Sequence, residues 1–249
     1  MQRTLFLDAD DTLWENNIYF ERVVAAFLRK LQRRGVPTAI ARQRLWDTEQ
    51  RIIRRFGYGS HPFCRALAEV ARQLACPDLT GWIYEQQKFL AHHPIELMPG
   101  VAQTLPALAE CNRLILVTKG DPEEQLGKLH RAQLARYFTA TEVVFEKNVA
   151  TYRRLLRRHR AHAAHSWMIG NSPRSDINPA KAAGLNTVFI PYHTTWQHEL
   201  EEISSNGGHT LVLDHFGQLA DHFLDTRVLS PPATRRSPRS RSAHQESRA

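Results

Sequence analysis

Thr4-Leu5-Phe6-Leu7-Asp8-Ala9-Asp10-Asp11-Thr12-Leu13 is the stretch that decides the fold. The run Thr4–Leu7 is typical of a short, buried parallel strand. Three carboxylates follow it at once, and like charges crowded together are costly unless a cation neutralises them. Because open α/β sheets bind ligands at the carboxyl ends of their strands, this acidic turn predicts a cation-assisted site. The alternative is an acidic turn after an edge strand.

Strands and helices alternate along most of the chain. Five further apolar runs have the length of buried strands, namely Leu114–Val117, Glu142–Phe145, Trp167–Ile169, Thr187–Ile190 and Leu211–Leu213. Helical periodicity connects most of them, at Val101–Glu110, Pro122–Leu134, Val149–His159 and Asn178–Ala183. This alternation predicts βαβ units and an α/β core with a doubly wound, Rossmann-like, mostly parallel sheet.

One connection breaks this rhythm. Between Trp14 and about Met98 the pattern is helical and contains no convincing strand, and the segment is far too long for a loop. We therefore expect an inserted α-helical cap domain over residues 15–98. The core domain is then expected to comprise residues 1–14 and 99–229.

The charge and composition of the chain indicate which kinds of binding partner to expect. The net charge is +8, but residues 230–249 carry five arginines and one glutamate, and hence half of it. That Ser-, Pro- and Arg-rich segment predicts a disordered basic tail, so we expect no specific nucleic-acid partner. No apolar run approaches the ~20 residues that a bilayer requires, so no membrane association is expected. Three cysteines without metal-binding spacing favour free thiols, and we expect a cytoplasmic protein.

Four segments that carry chemical groups lie at or just beyond strand ends. They are Asp8–Asp10, Val117–Asp121, Val144–Lys147 and Gly170–Asp176. In a parallel sheet these strand ends share one edge, so the segments can converge on one crevice. A carboxylate there could attack phosphorus, a second carboxyl group could supply a proton, and Mg²⁺ could reduce repulsion between the phosphate and the carboxylates.

These motifs resemble the haloacid dehalogenase superfamily. The resemblance spans roughly residues 3–225, and the helical insert is similar to the C1-type cap of that superfamily. It implies that Asp8 is the nucleophile and Asp10 the general acid/base, that Thr118 binds the phosphoryl group and that Lys147 stabilises it. Because Asp10 is present, the resemblance favours a phosphatase acting on a small phosphomonoester metabolite over a dehalogenase, which attacks carbon.

The expected metal ligands include one departure from that family's pattern. The resemblance implies that Mg²⁺ is held by Asp8, by the backbone carbonyl of Asp10 and by the fourth motif. That motif usually opens with Gly-Asp, whereas this chain has Asn171. An amide oxygen can bind Mg²⁺ but brings no negative charge, so Asp176 could carry more of the metal binding, directly or through water.

Three further residues are candidates for contact with the substrate. Lys119 follows Thr118 and could bind phosphate or pair with Asp121. Trp14 directly follows the acidic turn and could face the cap, and Arg174 lies in the fourth motif. A rival reading is a phospho-acceptor domain of the response-regulator kind, for which the long insert would have no use. The substrate and the oligomeric state are not set by the sequence.

Overall fold

The core is a six-stranded parallel sheet with the strand order β3-β2-β1-β4-β5-β6. The computed structural model describes residues 3–224, so the expected tail at 230–249 lies outside the described residues. The strands are β1 (Thr4–Leu7), β2 (Arg113–Lys119), β3 (Ala140–Val144), β4 (Ser166–Gly170), β5 (Asn186–Phe189) and β6 (Thr210–Val212). The prediction of a doubly wound α/β sheet with a helical insert is confirmed.

The helices fall into two groups. Four form the insert that follows β1, namely α1 (Asn17–Gln32), α2 (Thr38–Phe56), α3 (Ser60–Gln73) and α4 (Thr80–Ala91). The others flank the sheet, namely α5 (Val101–Cys111), α6 (Pro122–Arg131), α7 (Val149–Arg158), α8 (Asn178–Ala182) and α9 (Leu219–Phe223). In the described residues no helix is both long enough and apolar enough to cross a bilayer.

The central strand β1 contributes side chains to both faces of the sheet. Leu5 and Leu7 belong to a cluster with helices α5 and α9, whereas Phe6 packs in a second cluster with Tyr152 of α7. This division follows from the two-residue period of a strand. All four residues of β1 are buried, which explains why its sequence is almost wholly apolar.

Helices α1–α4 enclose a separate apolar cluster. The two chain segments that join them to the sheet run side by side, because the Glu15 N–H donates to the Glu96 carbonyl (2.9 Å) and the Met98 N–H donates to Leu13 (2.9 Å). The insert is therefore tethered by a short antiparallel pair directly beside the acidic turn. A movement of the cap about this antiparallel pair would therefore also displace the acidic turn.

Most predicted strand and helix bounds differ from the structure by one to three residues, and two of these differences have a clear cause. Helix α6 ends at Arg131 rather than Leu134, because Gln133 adopts a left-handed backbone (φ 57°) that turns Leu134 back into the core. Strand β3 stops at Val144, and Phe145 is exposed. Apolar periodicity alone places the C-terminal end of both elements too late, since Leu134 follows a turn and Phe145 faces solvent.

Candidate active site

The turn after β1 places Asp8 in the crevice between β1 and β4. The Asp8 N–H donates to the Ile169 carbonyl (2.9 Å), which continues the ladder by one residue. The chain then folds back, with the N–H groups of Thr12 and Leu13 donating to the Ala9 carbonyl. This is the point where the strand order reverses, which is the usual ligand site of a doubly wound sheet.

Asp11, the third carboxylate of the turn, has a structural contact rather than a place beside Asp8. Its backbone is left-handed (φ 61°), and its carboxylate accepts N–H bonds from Asn16 (2.8 Å) and Asn17 (2.9 Å) at the start of α1. Burial raises the pKa of Asp11 to about 8, although the Asn17 N–H opposes this rise. Asp11 therefore ties the acidic turn to the first cap helix.

Asp8, Lys147 and Asp176 form a buried triad. The Lys147 ammonium bonds to Asp8 Oδ1 and to Asp176 Oδ1 (2.7 Å), and its side chain is 2% exposed. Burial and the neighbouring Asp176 raise the pKa of Asp8 to about 7, and Lys147 only partly offsets this rise. Burial would lower the pKa of Lys147, but Asp176 and Asp8 raise it, so this lysine stays charged.

Local structure explains why Lys147 and Asp176 reach Asp8. Lys147 lies in the turn before α7, where the Asn148 side chain caps the helix by accepting the Thr151 N–H (2.9 Å). Asp176 lies in a π-helical turn, Pro173–Ile177, and packs against Gly170, where any Cβ would lie 2.2 Å from Asp176 Oδ2. The glycine of the fourth motif therefore makes room for the carboxylate.

Oxygen atoms that could bind a cation lie near Asp8 Oδ2, the carboxylate oxygen that does not contact Lys147. Thr12 Oγ1 lies 3.1 Å from both Asp8 Oδ2 and Asn171 Oδ1, so these two oxygens lie beside the same hydroxyl group. Asp176 is already engaged, because one oxygen binds Lys147 and the other accepts the Ser172 N–H (3.0 Å). Among the described residues no group of three or more His, Cys, Asp or Glu side chains is arranged as a metal site.

This donor set nevertheless fits Mg²⁺. Mg²⁺ prefers hard oxygen ligands and needs only one or two carboxylates, with waters and phosphate oxygens completing its octahedron. The Asp8 carboxylate and the Asn171 amide oxygen supply such ligands, and a bound cation would oppose the burial and the neighbouring Asp176 charge that raise the pKa of Asp8. Of the two candidates in the fourth motif, Asn171 is better placed for direct binding, whereas Asp176 orients Lys147.

The carboxylate of Asp10 is held by three donors. Lys128 Nζ lies 2.8 and 2.9 Å from its two oxygens, Gln125 Nε2 donates at 3.0 Å and the Trp14 indole N–H at 2.8 Å. Burial would raise the pKa of Asp10, but Lys128, with help from Gln125 and Trp14, lowers it below the usual value. In this arrangement Asp10 is a carboxylate.

Gln125 and Lys128 were not predicted from the sequence. They lie three residues apart on one face of α6, a helix that begins with Pro122 after the capping side chain of Asp121. Both are buried, Gln125 at 3% and Lys128 at 3% exposure. The available signal was weak, since polar side chains at that spacing normally indicate a solvated face.

Thr118 and Lys119 end β2 beside the triad, but their contacts differ. Thr118 is buried and lines the cavity, whereas Lys119 donates to Ser175 Oγ (2.7 Å) and to Glu199 Oε1 (2.6 Å). Burial would raise the pKa of Glu199, but Lys119 lowers it to about 2. Lys119 pairs with Glu199 and not with Asp121, and Glu199 is a further residue that was not predicted.

A cavity of about 520 Å³ lies over these groups and below the cap. Asp8, Asp10, Thr118, Lys147 and Asp176 line it, as do Lys119 and Asn171. Two predicted substrate contacts are not on its wall. Trp14 is fully buried with its indole N–H on Asp10, and Arg174 is exposed and donates to the His198 carbonyl (2.9 Å). Trp14 lies below the turn instead of facing the cap.

The cap closes onto the core through polar and aromatic contacts. The Tyr58 hydroxyl donates to Glu146 (2.8 Å) and the Ser60 N–H donates to Glu124 (3.0 Å). The ring of Trp46 from α2 stacks on His198, with centroids 3.7 Å apart and planes 5° apart. These contacts lie beside the cavity, because Tyr58, Trp46 and Glu124 line it.

A parallel α/β sheet with a paired aspartate and lysine at its carboxyl edge, covered by a helical cap, defines a capped hydrolase fold. Comparison with known families identifies the class further, because the model for haloacid dehalogenase-like hydrolases matches residues 2–184. The chain belongs to this family of hydrolases and is an enzyme.

Individual relatives agree with this assignment. A glyceraldehyde 3-phosphate phosphatase of Pyrococcus abyssi is 26% identical over 204 residues, covering 77% of this chain and 82% of that protein. A haloacid dehalogenase-like hydrolase of Xanthomonas campestris has a TM-score of 0.76 and 26% identity, over 89% of this chain and 95% of that one. A 2-haloacid dehalogenase of Pseudomonas syringae shares the fold (TM-score 0.59, 22% identity, 89% and 97% covered).

Proposed function

We propose that this enzyme is an Mg²⁺-dependent phosphatase that hydrolyses a small phosphomonoester through an aspartyl-phosphate on Asp8. The observation that carries the proposal is the second carboxylate, Asp10, on the wall of the same cavity as Asp8. Attack on phosphorus expels an alkoxide that needs a proton, and a carboxyl group beside the nucleophile can supply it. The phosphatase from Pyrococcus abyssi among the relatives supports the same chemistry.

The proposed reaction has two steps. In the first, an oxygen of Asp8 attacks phosphorus, the bond to the ester oxygen breaks, and that oxygen takes a proton from Asp10. In the second, Asp10 removes a proton from water, which attacks the same phosphorus and releases inorganic phosphate and free Asp8. Lys147 balances charge on Asp8 and on the transferring group, and Thr118 donates a hydrogen bond to a phosphoryl oxygen.

The residues around Asp8 would also hold the metal. We assign Mg²⁺ to the Asp8 carboxylate, the Asn171 side-chain oxygen and the Asp10 backbone carbonyl, with Asp176 acting through Lys147 and Ser172. When bound, the ion supplies positive charge that reduces repulsion between the phosphate dianion and the carboxylates. Asp8 then stays ionised despite the burial that raises its pKa.

The cap has a separate role in the proposal. We assign residues 15–98 to the cap and residues 1–14 and 99–229 to the core, and we propose that the cap opens to admit substrate. Exclusion of water on closure strengthens the electrostatic contacts to the phosphoryl group. The Tyr58–Glu146 and Ser60–Glu124 contacts would break on opening. A cytoplasmic location is part of the same proposal.

Release of phosphate tests this function directly. The purified chain is incubated with phosphomonoesters in Mg²⁺ and in EDTA, and inorganic phosphate is measured. We expect turnover that EDTA abolishes and that Asp8→Asn reduces to background, with the exposed Asp214→Asn as the matched control. Beryllium fluoride, a phosphoryl mimic, should attach to Asp8. Turnover that is unchanged in EDTA, or the mimic on another aspartate, would refute the mechanism.

A dehalogenase is the second candidate, because solved neighbours such as the Pseudomonas syringae enzyme share this fold. In that reaction Asp8 would attack carbon and displace a halide that needs no proton, so Asp10 would have no role. Chloride release from 2-chloropropionate, measured beside phosphate release, distinguishes the two. A phospho-acceptor domain would instead retain the phosphoryl group on Asp8 and release phosphate only slowly.

A further inference from the structure

The cavity has two chemically different halves. Its floor, at the sheet edge, carries the charged groups that the proposed reaction uses. Its cap wall is mainly apolar and is formed by helices α1, α2 and α3, through Phe20, Val24, Leu45, Ile52, Ile53 and Phe63. The reacting phosphoryl group belongs on the floor, so the leaving group of the substrate has to lie against the cap wall.

The volume of the cavity favours a leaving group that is larger than a triose. About 520 Å³ falls within the ~300–1,000 Å³ typical of pockets that bury drug-sized ligands. A triose phosphate would fill only a small part of this space and would leave the apolar wall in contact with water. The cap therefore fits a longer leaving group than glyceraldehyde, the one named for the Pyrococcus abyssi relative.

The charges that line the cavity disfavour a second anionic group on the substrate. Three of the four cations that line the cavity are ion-paired, namely Lys119, Lys128 and Lys147. Among the described cationic side chains that line the cavity, only that of Arg42 has no ion pair, and Arg42 is exposed. Two carboxyl groups of the cap, Glu21 and Glu49, also line it, and a second phosphate or a carboxylate would meet them.

From these three observations we infer that the substrate is a phosphate monoester of an uncharged, mainly apolar alcohol that is longer than a triose. This inference rests on the proposed phosphatase function and specifies its substrate class. Glu21 and Glu49 disfavour sugar bisphosphates and phosphorylated organic acids, because the second anionic group would meet them, and triose phosphates are disfavoured because they leave the apolar residues of the cap wall exposed.

A homologous series of n-alkyl phosphates tests the inference, because the leaving alcohols have nearly the same acidity and differ mainly in apolar length. We measure kcat/KM in Mg²⁺ for ethyl, butyl, hexyl and octyl phosphate, with glyceraldehyde 3-phosphate and fructose 1,6-bisphosphate as polar comparisons. Each buried methylene should raise kcat/KM by about fourfold until the cavity is filled. Hexyl phosphate should therefore exceed ethyl phosphate by roughly two orders of magnitude.

Two cap variants, the isosteric Val24→Thr and the smaller Ile53→Thr, place the effect on the wall. Val24→Thr and Ile53→Thr add a hydroxyl to different cap helices and should lower kcat/KM for hexyl phosphate by about three- to tenfold, because a polar group would be buried against the alkyl chain. The fall in kcat/KM for ethyl phosphate should be smaller, because a two-carbon chain covers less of the wall. Val36→Thr makes the same change as Val24→Thr in a part of the cap that does not line the cavity, so it is the matched control. Melting temperatures of all variants establish that they are folded.

The outcomes separate the inference from the proposed function. Measurable turnover with a flat alkyl series, or with glyceraldehyde 3-phosphate as the best substrate, would overturn the substrate class alone. Absence of phosphate release from every compound would refute the phosphatase function and the substrate class with it. A rising series that Val24→Thr and Ile53→Thr leave unchanged would show that the alkyl chain does not bind the cap wall, and would overturn the inference.

Discussion

Replacing Lys147 by methionine should produce a loss of stability that depends on pH. The substitution keeps most of the volume of the side chain and removes its charge. The side chains of Lys147 and Asp176 are only 2% and 1% exposed, and that of Asp8 is 11% exposed. Removing one partner of a buried ion pair costs about 3–5 kcal/mol, because the remaining charge is left uncompensated. Here two carboxylates lose the same cation.

The pH dependence follows from the pKa of Asp8. In the wild type burial already raises this pKa to about 7, and in the variant it rises further because the opposing ammonium is gone. Between pH 7 and pH 9 the folded variant therefore retains a proton that the unfolded chain and the folded wild type have lost. A proton held only by the folded state makes its stability fall by about 1.4 kcal/mol per pH unit as pH rises. The destabilisation should thus be about 2–3 kcal/mol larger at pH 9 than at pH 7.

Chemical denaturation at the two pH values, without divalent metal, measures this difference. Lys181→Met is the matched control, because Lys181 is also buried but donates to the Ser204 carbonyl and has no carboxylate partner. Its destabilisation should be the same at both pH values. An equal loss for Lys147→Met at pH 7 and pH 9 would refute the coupling of the triad. Phosphatase activity of Lys147→Met should also fall by about 10²–10³, as when one stabilising donor of a transition state is removed.

Three other variants test neighbouring contacts. Asp10→Asn should lower turnover by roughly 10²–10⁴, measured as steady-state phosphate release, because an amide cannot transfer the proton; near-normal turnover would contradict the acid/base role. Asn171→Asp adds a negative charge beside the proposed Mg²⁺ site and should lower the Mg²⁺ concentration for half-maximal activity, whereas an unchanged requirement would remove Asn171 from the proposed ligands. Glu199→Gln should destabilise the protein by about 3 kcal/mol at pH 7 but less near pH 3, because the lowered pKa of Glu199 contributes stability that is lost as pH falls from 4.5 toward 2; equal melting-temperature losses at both pH values would contradict this.

Much of the fold was predictable because each strand is a short apolar run and each chemical group follows a strand end. The predicted β1, Thr4–Leu7, has the same bounds in the structure, and the insert is helical as its periodicity indicated. Parallel topology places Asp8, Lys147 and Asp176 at one edge of the sheet, which the sequence predicted. Trp14 and Arg174 could not be placed in this way, because the direction of a side chain in a turn depends on its local hydrogen bonds.

The hydrogen-bond partners of Asp10 could not be predicted from the sequence, and they decide its protonation state. Lys128 could not be assigned from the sequence, because its burial depends on the turn after β1 packing against α6. Its ammonium lowers the pKa of a carboxyl group that burial alone would raise. The first proposed step needs Asp10 protonated and the second needs it ionised. The Lys128–Asp10 contact favours the ionised form. Under the proposed mechanism, Asp10 in this structure is therefore in the form that would accept a proton from water, and protonation of the leaving group would require that contact to loosen when substrate binds.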